Sequence, residues 1–431
     1  MSEFDVIVVG AGPAGASAAI KLAGAGSSVL LVERGDPPGS KNVSGGVLWG
    51  DSLGSVAPDW EKAAPMERYV EAKGVSFLTK DSKISIDFRS KKLQERRSGY
   101  TVLRTKLDGW LSKKAKDAGA MVASGITVDK LAFKDDRVIG VEQDGDIITS
   151  DIVILAEGAN PRVAINSGIR ERLKDRDVAI GVKEIIKLPE KTINERFNLT
   201  SSKMGFASEY VLGFLEGGVK AGGFIYTNKE SISLGLVISM KEMRQNNNTR
   251  SFDLIEQFKE HPYIAPLIDG GRVDEYSAHM VQEGGLKSVP QLYGNGFMVV
   301  GDGAGFSFSN GMVLQGMNYA IASGIAAAES AIKAKIKSNF TMEGLSSYEE
   351  RLKSSFVLQD LMNFKGIEEV TWSDMIHRGI PNMSEELFLS LFSENGQPKA
   401  HMINLLIRAM GHSDVPRKDM VINMYRMLRR M

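Results

Sequence analysis

The residues of this chain whose types and spacing can do chemistry are three glycines (Gly10, Gly12, Gly15), an acid (Glu33) and a late Gly301-Asp302 pair. The chemistry they suit is the holding of phosphates and ribose. In Gly10-Ala11-Gly12-Pro13-Ala14-Gly15 the first glycine allows a tight turn, the second lets backbone N–H groups approach a pyrophosphate, and the third lets a following helix pack close to the preceding strand. Glu33 stands 18 residues past Gly15. A carboxylate there accepts hydrogen bonds from ribose hydroxyls, so the cofactor carries an unphosphorylated adenosine ribose, as FAD and NAD both do. The histidines, at 261, 279, 377, 401 and 412, are scattered; they make no Ser-His-Asp or metal-ligand arrangement, so no catalytic side chain and no metal ligand is assigned.

The elements that must position these residues are legible around them. Phe4 and Val6 to Val9 form a near-continuous apolar run, which is how a parallel strand buried on both faces reads. An Ala-rich helix from about Ala14 to Ala25 follows, its positive end toward the phosphates, and a second apolar strand, Val29 to Val32, leads into Glu33. Far along the chain Gly296 to Gly305 is again a buried strand ending in Gly301-Asp302-Gly303. It continues through a loop, Gly311 to Gly316, into an Ala-rich helix of about Gln315 to Ala334. Strand, Gly-Asp and helix N-terminus form a second phosphate and ribityl site, which requires a cofactor longer than a nucleotide. Between the two sites, Asn42-Val43-Ser44-Gly45-Gly46-Val47 can bring backbone close to the cofactor's far end, and Ala156-Glu157-Gly158-Ala159-Asn160 returns the chain toward the nucleotide. Arg104 opens an amphipathic helix, Val102 to Ala118, where it can pair with pyrophosphate.

A chain of 431 residues exceeds one simple domain. Lys plus Arg and Asp plus Glu are equal at 53 each, so no global field recruits nucleic acid. With no cysteine, disulfides, thiolate nucleophiles and an internally ligated Cys-type iron–sulfur cluster are excluded. No basic and apolar leader precedes the first strand and no run of 18 apolar residues occurs, so we expect a cytoplasmic protein whose membrane contact, if any, is peripheral.

Alternation between Val75 and Phe88 (Ile84, Ile86, Phe88) suggests that a second, sheet-containing domain is built from insertions. Short strands are expected at Ile126 to Phe133, Val138 to Gln143, Ile147 to Ser150 and Ile152 to Leu155. The segment from Val178 to about Val281 is β-rich, with a helix near Ser251 to Phe258, and includes Gly222-Gly223-Phe224-Ile225-Tyr226-Thr227, a strand with a bulge or a ligand-lining stretch. From Leu345 onward helices carry apolar stripes (Leu387, Phe388, Leu391, Phe392; Met402, Leu405, Leu406, Met410) and a basic end, Arg426 to Arg430. These stripes suit the protein's own core, a partner or a membrane surface.

The two distant nucleotide sites resemble those of flavoprotein oxidoreductases of the glutathione-reductase and hydroxybenzoate-hydroxylase type. The whole chain is more similar still to FixC-type subunits, relatives of electron-transfer-flavoprotein:quinone oxidoreductase. The segments carrying that resemblance are Lys41 to Gly46, Val102-Leu103-Arg104, Val178 to Glu184, Gly222 to Thr227, Tyr276-Ser277-Ala278-His279 and Glu283-Gly284-Gly285.

The resemblance implies an α/β fold: an FAD-binding Rossmann-like domain (1–74, 101–177 and 286–340), an inserted mixed β-sheet substrate domain (75–100 and 178–285) and a helical C-terminal region (341–431). It implies FAD bound by Gly10, Gly12, Gly15, Glu33, Arg34, Arg104 and Asp302, with Gly45 and Gly46 along the isoalloxazine and Gly316 and Met317 near its pyrimidine end. Pro13, Ala14, Asn42, Ser44, Ala156, Gly158, Gly301 and Gly311 complete the candidate cofactor set, and Gly222, Gly223 and Tyr226 are candidates for quinone. Because the cysteines that hold a cluster in single-chain members are missing, the resemblance implies the subunit type. Its partners are then electron-transfer flavoprotein, a ferredoxin-like iron–sulfur protein and quinone, with no nucleic acid, at the inner face of the cytoplasmic membrane if at a membrane at all. A geranylgeranyl-reductase-like flavoenzyme acting on isoprenoid lipids, or a flavin-free lipid carrier, would use the same fold.

Overall fold

The structure is a computed structural model that describes residues 2–41, 45–245, 249–394 and 396–430, excepting in the last helix the side chains at 417, 421, 424 and 427–430. Asn42 and Ser44 therefore lie outside the described residues. In chain order the strands are β1 (Phe4–Val9), β2 (Val29–Glu33), β3 (Gly46–Trp49), β4 (Met66–Leu78), β5 (Lys83–Arg89), β6 (Gly99–Val102), β7 (Met121–Ser124), β8 (Lys130–Lys134), β9 (Arg137–Gln143) and β10 (Asp146–Leu155). They continue with β11 (Val178–Lys187), β12 (Met204–Leu212), β13 (Ala221–Thr227), β14 (Ser231–Ser239), β15 (Arg272–Gln282), β16 (Tyr293–Gly294), β17 (Phe297–Val299), β18 (Phe308–Ser309) and β19 (Leu314–Gln315).

Among the described residues the first sheet has eight strands, ordered β16-β17-β10-β1-β2-β7, with β8 and β9 attached through β10. The run β17-β10-β1-β2-β7 is parallel throughout. Its central strands are buried on both faces, Ile7, Val8, Leu31, Val153, Ile154 and Leu155 having no exposed surface. This is why they read as apolar runs without alternation. The helices Pro13–Gly24 and Met317–Ile336 pack on this sheet and on each other. Their contact is made by small residues: a Cβ on Gly324 would lie 2.1 Å from the carbonyl oxygen of Ala14.

Among the described residues the second sheet has nine strands, ordered β15-β11-β14-β13-β12-β4-β6-β3, with β5 on β4. Its pairs are antiparallel except β12 with β4. One face buries a core that includes Leu234, Leu236, Ile238, Leu254, Ile255 and Phe258 under the helix Ser251–Glu260. The other carries Val47, Val70, Ala207, Phe224, Tyr226 and Val237 and turns toward the first sheet's ligand end. The chain after 340 is helical among the described residues, with helices including Phe356–Asn363, Ile380–Phe392, Met402–Gly411 and Arg417–Arg430. Among the described residues no helix is long and apolar enough to cross a membrane.

Several expected boundaries move. Strands β3 and β4 belong to the second sheet, so its first segment begins at Gly46 and not at residue 75, and closes at Val102 with β6. The two strands expected at 147–150 and 152–155 are one, β10. Asp146 to Thr149 pair with β9 and Ser150 to Leu155 with β1, so a single strand serves two ladders across the polar Ser150-Asp151 step. The strand expected from Ile126 is confined to β8; Ile126 to Asp129 instead form a loop that reaches the ligand end. Strand β13 keeps uninterrupted register on both sides, without a bulge.

The Gly324 contact is directly testable. Gly324→Ala places a methyl group against backbone that cannot rotate away, so overpacking should destabilise the fold by about 1–3 kcal/mol. Denaturant unfolding of the purified protein reads this out. An unchanged midpoint would mean that the two helices are not in close contact.

Candidate functional site

At the carboxyl ends of the parallel strands lies a cavity of about 300 Å³, in the size range of small-molecule sites. The turn after β1 forms its floor. Gly10 has φ +104°, and a Cβ there would stand 2.3 Å from the carbonyl oxygen of Ala156, so only glycine lets the two turns touch. A Cβ on Gly15 would lie 1.9 Å from the Gly10 carbonyl oxygen, which sets helix Pro13–Gly24 hard against β1. Gly12 is different in kind. Its added Cβ would meet only Arg104 Nη2, at 3.6 Å, so this glycine keeps space open for a ligand.

Two helix N-termini open on the cavity. Helix Pro13–Gly24 has Gly12 as its cap and helix Met317–Ile336 has Gly316, neither with a side-chain hydrogen bond, and residues of both ends line the cavity. Their first N–H groups are thus available to anionic oxygens. Glu33 accepts the N–H of Ala11 at 2.8 Å and that of Gly35 at 2.7 Å, one on each carboxylate oxygen. Each oxygen retains a further lone pair for a ribose hydroxyl.

Arg104 is held at its other side by a two-pronged pair with Asp108, both bonds at 2.8 Å, while a fifth of its side chain (21%) stays exposed to the cavity. Burial works against its charge, but Asp108, Asp302 and Glu33 outweigh it and hold the guanidinium above its ordinary pKa. Burial pushes Asp302 up, opposed by Arg104, His279 and Lys183. Lys183 on β11 donates to the Gly45 carbonyl oxygen at 2.8 Å. Burial, followed by repulsion from Arg104, brings its ammonium down to about 8.

Arg170 and Gln282 support the late Gly301 turn. The Arg170 guanidinium donates to the carbonyl oxygens of Gly303 and Ser288, and Gln282 Nε2 to that of Ala159 at 3.1 Å.

A second cavity of about 90 Å³ adjoins the first, with Phe224, Tyr226, Val237 and Leu314 lining both. Its other walls include Tyr210, Val211, Gly222, Gly223, Val313, Trp372 and Ile376, so it is mostly apolar. Its ionisable wall groups are Glu209, Tyr210, Tyr226, Glu283 and His377.

The structure thus gathers Gly10, Gly12, Pro13, Ala14, Glu33, Arg34, Gly45, Gly46, Arg104, Ala156, Gly158, Gly301, Asp302, Gly316 and Met317 around one cavity. Gly15 lies behind it, in the helix–strand contact. Gly311 lines the second cavity and not the first, beside Gly222, Gly223 and Tyr226. Sequence reasoning gave no role to Lys183 and His279, which line the large cavity. Both sit in segments that carried the family resemblance, and that was their available signal. Arg170 had none.

Comparison with known proteins identifies relatives of the chain. The profile of the family described as pyridine nucleotide-disulphide oxidoreductase matches residues 4–191, and that described as ETF-QO, ubiquinone-binding, matches residues 178–281. The chain is 40% identical over 412 residues to the probable electron transfer flavoprotein-quinone oxidoreductase YdiS of Escherichia coli (strain K12), covering 95% of each chain. It is 38% identical over 411 residues to protein FixC of the same organism, again over 95% of each. A geranylgeranyl bacteriochlorophyll reductase-like protein from Thermoplasma acidophilum shares the fold, with a TM-score of 0.71, 19% identity and 98% and 99% of the two chains covered.

The donor set fits FAD: two uncapped helix ends and Arg104 for the phosphates, Glu33 for the ribose, and a glycine whose side chain would intrude. We expect Gly12→Val to fold, since its Cβ meets no backbone, but to purify without flavin; full flavin absorbance in a folded variant refutes the pyrophosphate assignment. Glu33→Ala should weaken retention, each lost charge-assisted hydrogen bond being worth about 1.5–3 kcal/mol. Flavin occupancy after gel filtration measures it, and unchanged occupancy counts against the ribose role.

Proposed function

The chain belongs to the FixC and electron-transfer-flavoprotein:quinone oxidoreductase family, and from that premise we propose that it is an FAD-dependent oxidoreductase passing electrons between electron-transfer flavoprotein, a ferredoxin-like iron–sulfur partner and a quinone. The observation that carries the quinone reading is the apolar second cavity sharing a wall with the cofactor cavity. An isoprenoid-tailed ring needs an apolar slot ending near the cofactor, and Gly222 on β13 leaves room for one beside Phe224 and Tyr226, whereas Gly223 turns to the other face, where a Cβ would stand 3.0 Å from the Phe258 ring. A Cβ on Gly222 would come no closer than 4.0 Å to its neighbours, so this glycine keeps space and not conformation.

Bound FAD supplies a store of two electrons that can be filled and emptied singly. The protein's own part is binding and electrostatics. The helix end at Gly316 and Met317 directs positive charge at the cavity, where it favours negative charge gathering on a reduced ring. Lys183 adds a cation in the same cavity. The buried walls of the shared partition, Phe224 and Tyr226 at 2% and 4% exposure, keep bulk water from passing between the two cavities.

The absence of cysteine supports the iron–sulfur partner. The family's usual one-electron relay is a cluster that a chain without cysteine cannot ligate by itself. Phe388, Leu389 and Phe392 on helix Ile380–Phe392 and Met402, Ile403, Leu406 and Ile407 on helix Met402–Gly411 are all exposed, Phe392 at 79%. A contiguous apolar surface of this kind suits a docked protein, and the exposed Arg426 beyond it suits an acidic one.

Tyr226→Ala should impair quinone reduction while sparing flavin reduction by an artificial dye; equal loss of both moves the acceptor site elsewhere. Removal of residues 415–431 should weaken co-purification with a ferredoxin-like partner. If the intact chain instead floats with lipid vesicles and ignores the partner, the apolar helices are a membrane surface.

A further inference from the structure

Lys73, Glu209 and Tyr226 form a buried polar row that nothing in the cofactor site uses. β12 runs between β4 and β13, with Ala207 facing Lys73 on one side and Tyr226 on the other. Glu209, two residues beyond Ala207, projects from the same face. The Lys73 ammonium is ion-paired to Glu209 Oε2, and the two side chains are only 17% and 12% exposed. The Tyr226 hydroxyl donates to the other carboxylate oxygen, Glu209 Oε1, at 3.3 Å. Tyr226 is 4% exposed and lines both cavities. The row therefore crosses three neighbouring strands, β4, β12 and β13, to the partition between cofactor and acceptor.

A buried ion pair is a poor device for stability, since desolvation offsets most of its attraction, so its position calls for another explanation. Reduction of a quinone supplies one. The ring takes two electrons and two protons, and a mostly apolar cavity offers few groups to give the protons. The remaining ionisable groups are badly placed. Glu283, the other carboxylate on the wall of this cavity, follows β15 and lies in the field of Glu368, off the row. His377 is tied through Nε2 to the Thr371 carbonyl oxygen at 3.0 Å. Lys183 lies over the Phe224 ring at 5.2 Å, on the cofactor side.

We propose that Tyr226, Glu209 and Lys73 are the proton input for quinone reduction, with Tyr226 the catalytic residue and the other two acting through it. This rests on the quinone reading above. Bound FAD, once reduced, would supply the two electrons. For each of the two protons, Lys73 transfers a proton to Glu209, whose carboxylic O–H then donates to the Tyr226 oxygen. The Tyr226 hydroxyl turns to the substrate and gives its proton to a quinone oxygen as it receives the one from Glu209. Neutral Lys73 recovers its proton from solvent. After two such transfers the quinone leaves as quinol, and the row has regained its starting charge. Burial brings the Lys73 ammonium down to about 7, where it gives up a proton readily, and pushes the Tyr226 phenol up, so that it acts only in concert with its neighbours.

The test uses the FAD-loaded protein, photoreduced and mixed anaerobically with decylubiquinone or with ferricenium, a one-electron acceptor that takes no proton. Tyr226→Phe keeps the ring and Glu209→Gln keeps the shape. Both should keep their flavin and still saturate with quinone, as read by intrinsic fluorescence quenching. Both should lose about 100-fold or more in reoxidation by quinone, the scale of general acid catalysis, and nothing in reoxidation by ferricenium. Glu209→Asp should recover part of the quinone rate. Equal quinone rates in parent and Tyr226→Phe overturn the relay while leaving the quinone site standing. A parent that neither binds nor reduces decylubiquinone overturns the quinone reading and the relay with it. Parallel loss with both acceptors assigns the row to structure and overturns its role in proton transfer.

Discussion

Everything in this molecule depends on how closely backbone approaches backbone under the cofactor cavity. The Gly10 turn touches the Ala156 turn, helix Pro13–Gly24 sits against β1 through Gly15, and helix Met317–Ile336 sits against that helix through Gly324. Each contact admits no Cβ. Together they bring two uncapped helix ends, separated by some 300 residues of sequence, to one cavity wall. Two sets of free N–H groups are what a long, doubly anionic cofactor needs, and neither set could be supplied by side chains at the same density.

That geometry leaves the cavity rich in positive charge, and the rest of the site balances it. Asp108 anchors Arg104 from behind and Asp302 faces it across the cavity, while Lys183 is drawn to the Gly45 carbonyl. Arg104 keeps its charge because three carboxylates surround it, and Lys183, which lies beside Arg104 with weaker support, is the cation whose proton loosens. The second sheet thus contributes a titratable cation to a site whose fixed charges come from the first.

The first sheet was legible in the sequence because parallel strands buried on both faces leave uninterrupted apolar runs, and because the glycine spacing at 10, 12 and 15 has a steric cause. The second sheet was legible as a region but not at its boundaries. β4 runs 13 residues, half-buried and polar in places, and its membership depends on pairing with β12, more than a hundred residues away. Arg170 was invisible for the same reason, since its role lies in the carbonyl groups of Gly303 and Ser288 and not in any local pattern. Gly311 was read with the cofactor loop by proximity to Gly316, yet the short β18–β19 ribbon turns it to the other cavity. Lys73 and Glu209 carry no sequence signal at all. Only the parallel register of β12 with β4 makes them neighbours.

The arrangement of the two cavities follows from which sheet owns which task. The first sheet's loops hold phosphates and ribose, tasks met by backbone, and so tolerate little variation in conformation. The partition between the cavities is built from β13 and β14 of the second sheet, where alternate side chains face the cofactor side and the opposite face packs into an independent core under helix Ser251–Glu260. Side chains on such a strand can change without disturbing the glycine contacts beneath the cofactor. The lining of the second cavity can therefore be set on the second sheet while the glycine contacts stay constant, and a chain sharing only 19% of this sequence keeps the same fold.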